Sequence, residues 1–487
     1  MIRATLERIA QWSDGRLAVG ADPAVSIAGA GTDTRIRLDG RLFIALKGPN
    51  FDAHAFLEQA VEQGAAAALV EREQPEIDLP QIVVDDTQIA LGRLARGWRE
   101  AVDPTVIAIT GSSGKTTVKE LLAGMLGEIG PTAATRGNLN NEIGVPLTLL
   151  DWPAETRFAV VEMGANHAGE IAALTELVTP DIVTVTMVGH AHVGEFGSVK
   201  HIIEAKGEIY RHRPGSARAL VNLDSLGADR WLMHAPRADT FSLDPSHREW
   251  ATWAGEYDAD RHELSVAERG RNLFEHLPIP ILGEHNAMNL LAAIALARLA
   301  GASSEAIAAG LAAFRPPVGR MNLVRLANGW RVIDDSYNAN PESMRAALGY
   351  LAGQPGERLA VLGSMGELGA QAESLHRQLG EFAARQELQG LIAVGPGAAA
   401  IAAGYRAAGG AADSIDTVED SAAATEALRA RLAQLARRTD TAMTVLLKGS
   451  RFMHIEQVGA ALEREYGLAP RAGNQSIGRG KDAALAD

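Results

Sequence analysis

The chain has 487 residues, which is longer than one hydrophobic core usually supports, so we expect several domains. Apolar residues make up 47% of the chain and charged residues 22%, which is the balance of a soluble globular protein. The net charge of -14 and the lack of a basic block exclude a general nucleic-acid binder. Local Lys, Arg and backbone N–H groups must therefore hold any anionic substrate.

The chain contains no cysteine, which excludes disulfide scaffolds, cysteine-zinc sites and thiol nucleophiles. Residues 1–12 are predicted to form an amphipathic helix, and they contain no apolar signal core. The longest apolar helix pattern, at about 290–300, is interrupted by Arg298 and is too short to span a bilayer. We therefore expect a cytoplasmic protein.

The predicted elements indicate an α/β fold. Up to about residue 100, short strands at 42–46, 67–70 and 82–84 mix with helices in a small α/β unit. From Val106 the strands VIAIT, FAVVE, DIVTVT and ALVNL alternate with helices, which predicts a mostly parallel sheet covered on both faces. Residues 236–280 are predicted to add short antiparallel strands to that domain.

A proline-rich segment, 314–321, marks the next boundary, after which strands and helices alternate again. This pattern predicts a C-terminal doubly wound, Rossmann-like domain. The last residues are polar and aperiodic, so we expect a mobile tail. The predicted domains are an N-terminal unit, a central phosphate-loop unit, the Rossmann-like unit and the tail, at 1–100, 101–313, 314–466 and 467–487.

The strongest local signal is the sequence TGSSGKTT, which follows an apolar strand and opens a helix, as a phosphate-binding loop does. Backbone N–H groups of such a loop point at phosphate oxygens. The lysine neutralises the β- and γ-phosphates of ATP, and the following threonine can bind Mg²⁺. The general pattern has a glycine where this chain has Ile109, and the alternative is a plain Gly/Ser turn. The predicted nucleotide-binding residues are Gly111, Ser112, Ser113, Gly114, Lys115, Thr116 and Thr117.

This loop resembles that of the Mur ligase family, and four long motifs in family order extend the resemblance over about residues 25–465. The motifs are DTR…LFIALKGPNFDAHAF, NLNNEIGVPLTLL, VEMGANHAGEI and DDSYNANP. The resemblance implies a monomeric ATP-dependent ligase that joins a carboxylate to an amine through an acyl-phosphate. Within the family, the motifs are most similar to ligases that add D-alanyl-D-alanine to a UDP-linked muramoyl tripeptide in peptidoglycan precursor synthesis.

The resemblance also implies a site for two Mg²⁺ ions. Glu162 ends the strand FAVVE at the carboxyl edge of the sheet, and Mg²⁺ prefers hard oxygen ligands. The family pattern assigns His192 to the second ion and a carbamoylated Lys206 to the metal site, although the family's Glu-Gly order after the histidine is reversed here. The alternatives are an exposed strand-end acid for Glu162 and an ordinary solvated lysine for Lys206. The expected metal ligands are Thr116, Glu162, His192 and Lys206.

Three further residues are expected at the nucleotide. The resemblance assigns Asn286 to the adenine, Arg320 to the phosphates at the hinge, and Asp335 to the ribose. An N-cap role for Asn286 and a surface ion pair for Arg320 remain alternatives, and Asp334 could exchange roles with Asp335. Together with the metal ligands, the resemblance implies a catalytic set made of Lys115, His192, Lys206 and Arg320.

The first region is expected to bind the uridine nucleotide, and the segment 448–451 the carboxylate of the dipeptide. The asparagine cluster at 138–141 could donate to sugar or pyrophosphate oxygens, or form a polar turn. The expected substrate-binding residues are Asp33, Thr34, Arg35, Lys47, Asn138, Asn140, Asn141, Tyr337, Asn338 and Lys448.

Three other functions fit parts of the pattern. Within the same class, the chain could add a single amino acid or act as a folylpolyglutamate synthase. From another class, it could be a phosphate-loop ATPase that couples hydrolysis to partner binding. The uridine-type first region and the DSYNANP motif argue against the folate enzyme.

Overall fold

A computed structural model describes residues 1–48, 50–189, 196–439 and 441–470. Three large sheets follow one another along the chain, and buried aliphatic side chains fill the space between sheets and helices. The α-helices are Leu6–Ser13, Leu57–Glu62, Thr87–Val102, Lys115–Gly127, Gly144–Leu150, Glu170–Val178, Val199–Arg211, Ala228–His234, Glu284–Leu299, Ser304–Ala313, Pro341–Ala352, Ala372–Ala384, Ala398–Ala407, Ser421–Ala436 and Glu456–Tyr466. Short 3₁₀ helices lie at Ala53–Phe56, Pro245–His247, Gly369–Gln371, Ala412–Ser414 and Arg451–Met453.

The first sheet belongs to the small N-terminal unit. Its neighbouring strands pair in parallel, except for the antiparallel pair at the edge that begins with Arg16. In spatial order they are Arg16–Leu17, Gln81–Val83, Ala67–Val70, Leu42–Ile44 and Ala30–Gly31. Two small antiparallel pairs accompany this sheet, Arg3–Thr5 with Ser26–Ala28 and Lys47–Gly48 with Phe51–Asp52.

The N-terminal segment differs from its prediction, because a strand precedes the helix. Arg3–Thr5 pairs with Ser26–Ala28, and the helix begins only at Leu6. The Thr5 hydroxyl accepts a hydrogen bond from the backbone N–H of Arg8 at 3.4 Å, which caps the helix. Pairing with a distant strand, invisible in the local pattern, therefore outweighs helix periodicity in the first residues.

The central sheet carries the phosphate loop on an inner strand. In spatial order its strands are Thr132–Ala134, Phe158–Glu162, Thr105–Thr110, Ile182–Val185, Arg218–Asn222, Asp239–Ser242, Trp253–Asp258, Glu263–Glu268 and Arg271–Pro278. Only the last two pairings are antiparallel. The expectation of antiparallel strands throughout 236–280 is thus wrong for Asp239–Ser242, which runs parallel to both neighbours because helix Ala228–His234 returns the chain to the same edge.

The C-terminal sheet is parallel except at one edge. Its strands, in spatial order, are Asn322–Arg325, Arg331–Asp335, Met443–Lys448, Glu357–Gly363, Gly390–Val394 and Ile415–Val418. Helices lie on both faces, so the doubly wound arrangement is confirmed. The parallel strands bring the segments that follow Asp335, Gly363, Val394 and Lys448 to one edge.

The structure also bears on the expected tail and on the possibility of a membrane-spanning helix. The segment from 471 onward, which includes most of the expected mobile tail, lies outside the described residues. Within the described ranges, no helix is both long enough and apolar enough to cross a bilayer.

Candidate active site

The phosphate loop leaves the strand Thr105–Thr110 and enters the helix Lys115–Gly127. Two loop glycines have positive φ, 148° at Gly111 and 84° at Gly114, a conformation that favours glycine. The Lys115 ammonium donates to the carbonyl of Gly111 at 2.7 Å, so the lysine folds back over the loop. The loop thus places one cation at the N-terminus of the helix Lys115–Gly127, which is the arrangement that phosphate-binding loops use.

The two residues that follow the strand Ile182–Val185 hold the phosphate loop in place through hydrogen bonds. The Ser112 N–H donates to the carbonyl of Met187 at 2.7 Å, and the Thr186 hydroxyl donates to the carbonyl of Ser113 at 2.6 Å. A Cβ at Gly111 would overlap the Thr186 hydroxyl. Sequence analysis missed Thr186, although its place at the end of DIVTVT was a signal, since parallel strand ends share one edge of a sheet.

One polar side chain of the phosphate loop lacks a hydrogen-bond partner in the part of the chain that the structure describes, which fits a bound phosphate. The Ser112 hydroxyl is buried and has no hydrogen-bond partner among the described residues. Buried polar groups in native proteins are nearly always satisfied, so an unpaired hydroxyl in a phosphate loop points to an anionic ligand. Burial lowers the pKa of Lys115, whereas the nearby Glu162 carboxylate opposes that shift.

Glu162 faces the loop from the adjacent strand. Its carboxylate accepts from the Thr116 hydroxyl at 2.9 Å and from the Asn140 side-chain amide at 2.9 Å. Only 3% of Glu162 is exposed, so the alternative of an exposed strand-end acid is wrong. Its oxygens and that of Thr116 form a hard-oxygen donor set beside the loop, which suits Mg²⁺.

Lys206 lies within the site rather than on the surface. It is 1% exposed, and its ammonium donates to the carbonyl of Ala165 at 3.1 Å and lies 5.4 Å from the centre of the Phe196 ring. Burial, assisted by the positive charge of Lys115, lowers the pKa of Lys206 to about 7. The alternative of a solvated lysine is therefore wrong.

His192, expected to be a metal ligand, lies outside the described residues, as does the reversed pair Gly194-Glu195. Within the part of the chain that the structure describes, no group of three or more His, Cys, Asp or Glu side chains could hold a metal ion. The described part of the expected metal site thus consists of Glu162, Thr116 and Lys206.

Arg320 connects the C-terminal domain to the phosphate loop. Its guanidinium donates to the Thr116 hydroxyl at 3.0 Å and stacks 4.4 Å from the centre of the Tyr337 ring. The backbone N–H of Tyr337 donates to the carbonyl of Gly319, which has φ of 73°. The hinge arginine is therefore held against the loop, and the surface ion-pair alternative is wrong.

Two asparagines lie behind the loop, on the helix Glu284–Leu299. The Asn286 amide donates to the carbonyl of Leu282 at 2.7 Å, and its oxygen accepts from Asn289 at 2.8 Å. A Cβ at Gly114 would overlap the Asn289 side chain. Gly283 is the N-cap of this helix, so the N-cap alternative for Asn286 is wrong.

Asp335 and Lys448 form a buried ion pair at the edge of the C-terminal sheet. The Lys448 ammonium donates to the Asp335 carboxylate at 2.6 Å and to the carbonyl of Asn338 at 3.0 Å. The Asp335 carboxylate also accepts from the backbone N–H of Met321 at 3.2 Å. Asp334 instead accepts from the hydroxyl of Ser336 at 2.5 Å, so the two aspartates have different surroundings.

The expected uridine-binding residues form a separate cluster in the N-terminal unit, in which Arg35 is exposed and Thr34 is buried. Arg35 and Asp33 form an ion pair at 2.8 Å, and the Arg35 side chain lowers the pKa of Asp33 to about 2. The Thr34 hydroxyl donates to Gln59 at 2.8 Å, and Lys47 is exposed. Among the described residues, no hydrogen bond joins this cluster to the phosphate loop.

The asparagine cluster divides between two settings. Asn140 reaches Glu162, and the Asn141 side chain accepts from the backbone N–H of Gly144 at 2.8 Å, beside the helix Gly144–Leu150. Asn138 is exposed. The polar-turn alternative therefore describes Asn141, whereas Asn140 lies in the site beside Glu162.

Two family models match the chain, the Mur ligase middle domain at residues 109–297 and the Mur ligase glutamate ligase domain at residues 319–451. A UDP-N-acetylmuramoyl-tripeptide–D-alanyl-D-alanine ligase from Escherichia coli (strain K12) is 39% identical over 95% of this chain and 99% of its own length. The ligase of the same name from Bacillus subtilis (strain 168) is 36% identical over 83% of this chain and 88% of its own.

Solved structures extend the likeness to the fold. MurF from Acinetobacter baumannii superposes with a TM-score of 0.86 at 36% identity, covering 95% of this chain and 99% of that one. MurF ligase from Thermotoga maritima, solved in complex with ADP, gives a TM-score of 0.74 at 28% identity over 90% of this chain and 97% of that one. The predicted three-domain α/β fold is thereby confirmed. The chain belongs to the Mur ligase family.

Proposed function

We propose that this protein joins D-alanyl-D-alanine to the tripeptide carboxylate of a UDP-N-acetylmuramoyl-tripeptide, with release of ADP and phosphate, in peptidoglycan precursor synthesis. The observation that carries the proposal is the 39% identity, over 99% of the relative's length, to the Escherichia coli ligase with that name. The hydrogen bonds that join Thr116 to both Glu162 and Arg320 supply an electrostatic site for phosphoryl transfer.

In the first half-reaction the tripeptide carboxylate attacks the γ-phosphate of ATP, and ADP leaves. Lys115, Arg320 and the loop N–H groups stabilise the charge that develops on the transferring group. Glu162 and Thr116, with His192 by family resemblance, would hold Mg²⁺. The metal would supply further charge neutralisation at the phosphates when bound.

Lys206 is proposed to be carbamoylated. A lysine with pKa of about 7 is largely uncharged just above neutral pH, and an uncharged amine can add to CO₂ with loss of one proton. The product is an anionic oxygen donor in place of a buried cation. It would complete an oxygen ligand set for the metal beside Glu162.

In the second half-reaction the amine of the dipeptide attacks the acyl carbon, an amide bond forms and phosphate leaves. The reacting groups must be brought together from different domains, and Arg320 is placed to hold the C-terminal domain closed on the phosphate loop. Closure also excludes water, which would otherwise hydrolyse the acyl-phosphate. We propose that the enzyme works as a monomer in the cytoplasm.

A phosphate-release assay crossing nucleotide-linked peptides with dipeptides and single amino acids tests this function. Release should require both the UDP-linked tripeptide and D-alanyl-D-alanine, with one amide formed for each phosphate. Turnover with a single amino acid would favour the related ligases. Phosphate release that is independent of any amine would favour an ATPase coupled to partner binding.

A further inference from the structure

A small cavity lies between two helices of the central domain. Helices Val199–Arg211 and Ala228–His234 form its walls, and its volume is about 220 Å³. The described residues that line it are separate from the phosphate loop. Because the volume lies below the usual range for drug-sized ligands, the cavity suits a single phosphate group better than a whole nucleotide.

The floor of the cavity is formed by close packing of the two helices. Trp231 is 1% exposed, and its indole N–H donates to the carbonyl of Ile203 at 3.0 Å. A Cβ at Gly207 would lie 2.8 Å from the same indole ring, so the helices touch there. The centre of the Tyr210 ring lies 5.8 Å from that of Trp231. The cavity is therefore a fixed feature of this packing.

Three side chains that can carry positive charge line the cavity from both helices. Arg211 and His234 lie in the last turns of their helices, and Arg230 lies one turn before His234. The Arg211 guanidinium donates to the carbonyl of Glu204 at 3.3 Å, and that of Arg230 pairs with the Glu204 carboxylate at 2.8 Å. Both guanidinium groups thus converge on one residue.

Positive charge exceeds negative charge at this cavity. Among the described residues that line it, Glu204 supplies the only carboxylate. Arg213 adds a further cation nearby, because its guanidinium donates to the carbonyl of His234 at 3.4 Å. Partial burial, and then the charges of Arg211 and Arg230, lower the pKa of His234. A chain with a net charge of -14 thus concentrates cations here.

The helix dipoles explain only part of this arrangement. Basic residues are favoured at the C-terminal ends of helices, which accounts for Arg211 and His234 but not for Arg230 in the first turn of its helix. The negative ends of the dipoles oppose an anion, although only weakly at a site open to solvent. Charge-assisted hydrogen bonds from two guanidinium groups outweigh that effect.

We propose that this cavity binds a phosphate group, as inorganic phosphate or as a phosphate monoester. Guanidinium groups bind phosphate oxygens through paired hydrogen bonds, and a protonated His234 adds a third donor. The bound anion replaces the Glu204 carboxylate as the partner of Arg230. The inference goes beyond the proposed ligase function and does not depend on it.

The imidazole of His234 reports occupancy of the cavity in proton NMR titrations of the full-length enzyme, with ADP present to occupy the phosphate loop. Inorganic phosphate should raise the pKa of His234 by about one unit, because a nearby anion favours the charged imidazolium. Sodium chloride at the same ionic strength should have a much smaller effect. The signal is assigned by its loss in His234→Gln. An equal response to both salts would reveal charge screening alone and would overturn the proposal.

Two substitutions should change phosphate affinity in opposite directions in the same titration. Arg230→Gln removes one guanidinium and should weaken binding by about tenfold or more. Glu204→Gln removes the carboxylate that competes for Arg230 and should strengthen binding by about three- to tenfold. Arg237→Gln, at an exposed arginine outside the cavity lining, is the control and should bind phosphate normally. Weaker binding in both Arg230→Gln and Glu204→Gln would show that the ion pair only joins the helices, and would overturn the proposal.

Lipid headgroups also carry phosphate, so the source of the group needs a separate measurement. Sedimentation with phosphatidylcholine vesicles that contain phosphatidic acid distinguishes the two sources. Vesicle binding that is lost in Arg230→Gln would assign the cavity to a headgroup, whereas a response of His234 to inorganic phosphate without vesicle binding would assign it to a soluble phosphate. If His234 responds to neither, the cavity is not a phosphate site.

Discussion

Thr116 is the residue at which three parts of the site meet. Its hydroxyl donates to Glu162 and accepts from Arg320, while its backbone lies in the first turn of the phosphate-loop helix. One hydroxyl thus connects the phosphate loop, the neighbouring strand and the C-terminal domain. A metal bound there would exchange the Thr116–Glu162 hydrogen bond for two oxygen ligands.

Replacing the Glu162 carboxylate tests the metal site. Glu162→Gln keeps the size of the side chain but removes its charge, so kcat should fall by about a hundredfold or more, because an electrostatic contribution to phosphoryl transfer is lost. Activity should recover in part at raised Mg²⁺. Glu155→Gln, at an exposed residue before the same strand, is the matched control. Unaltered kcat and Mg²⁺ dependence in Glu162→Gln would count against this assignment.

The lowered pKa of Lys206 predicts that its carbamoylation depends on pH. Its pKa in the folded protein, about 7, lies below its ordinary value, so the ammonium form dominates below pH 7 and the neutral amine above it. With ¹³C-labelled bicarbonate, a carbamate signal should therefore grow as pH rises through 7 and fade as it drops. The signal should be missing in Lys206→Arg and retained in Lys200→Arg, at an exposed lysine of the same helix. No carbamate signal at pH 8 would argue against the modification.

The phosphate-loop helix shows how an element depends on its neighbours. It begins at Lys115, directly after the left-handed Gly114, and packs on the helices Glu284–Leu299 and Ser304–Ala313. Asn289 fills the space in which a side chain at position 114 would lie. The first turn is consequently fixed by packing as well as by glycine geometry.

Gly114→Ala should therefore weaken nucleotide binding strongly. The added methyl group would overlap Asn289, and the alanine backbone would have to keep a φ of 84°, which favours glycine. The loop must therefore rearrange. Calorimetric titration with ADP should show at least a hundredfold loss of affinity, on the order of 2.7 kcal/mol. Gly127→Ala, at the other end of this helix with nothing within 4 Å, should bind ADP normally. Equal ADP affinity in both variants would contradict this account.

At the scale of the whole molecule, contacts among the described residues join the C-terminal domain to the central domain. Arg320 reaches Thr116 across 204 positions of sequence. A Cβ at Gly189 would lie 2.7 Å from the carboxyl carbon of Glu342, so the two domains also touch beyond the hinge. The Asp335–Lys448 pair holds the hinge segment at Met321 to the C-terminal sheet. Arg320 therefore links the C-terminal domain directly to the phosphate loop.

Arg320→Lys should weaken this link between the C-terminal domain and the phosphate loop. A lysine keeps the charge but loses the planar group that stacks on Tyr337 and reaches Thr116. Because the cation would then be misplaced relative to the phosphate loop, kcat should fall by about ten- to hundredfold. Small-angle scattering with ADP should show a more extended particle. Arg315→Lys is the control, because Arg315 lies in the same segment and, among the described residues, donates hydrogen bonds to the neighbouring carbonyls of Ala313 and Phe314. A compact, fully active Arg320→Lys enzyme would remove Arg320 from this role.

Patterns along the chain predicted the order of the domains, the phosphate loop and the placement of Glu162 at a strand end. These features are local, because strand, loop and helix are contiguous and strand ends in parallel sheets share an edge. The strand Asn322–Arg325 was not predicted, since it is short, half-exposed and stabilised mainly by pairing with Arg331–Asp335. Its edge position depends on the sheet beside it.

The sequence by itself determined the family and the chemistry of the phosphate loop, because both reside in contiguous motifs. Only the tertiary structure decided that Lys206 is buried with a lowered pKa, that Arg320 reaches Thr116, and that Lys448 pairs with Asp335, 113 positions away. Burial and long-range contacts arise from the packing of distant segments, which a local pattern does not encode.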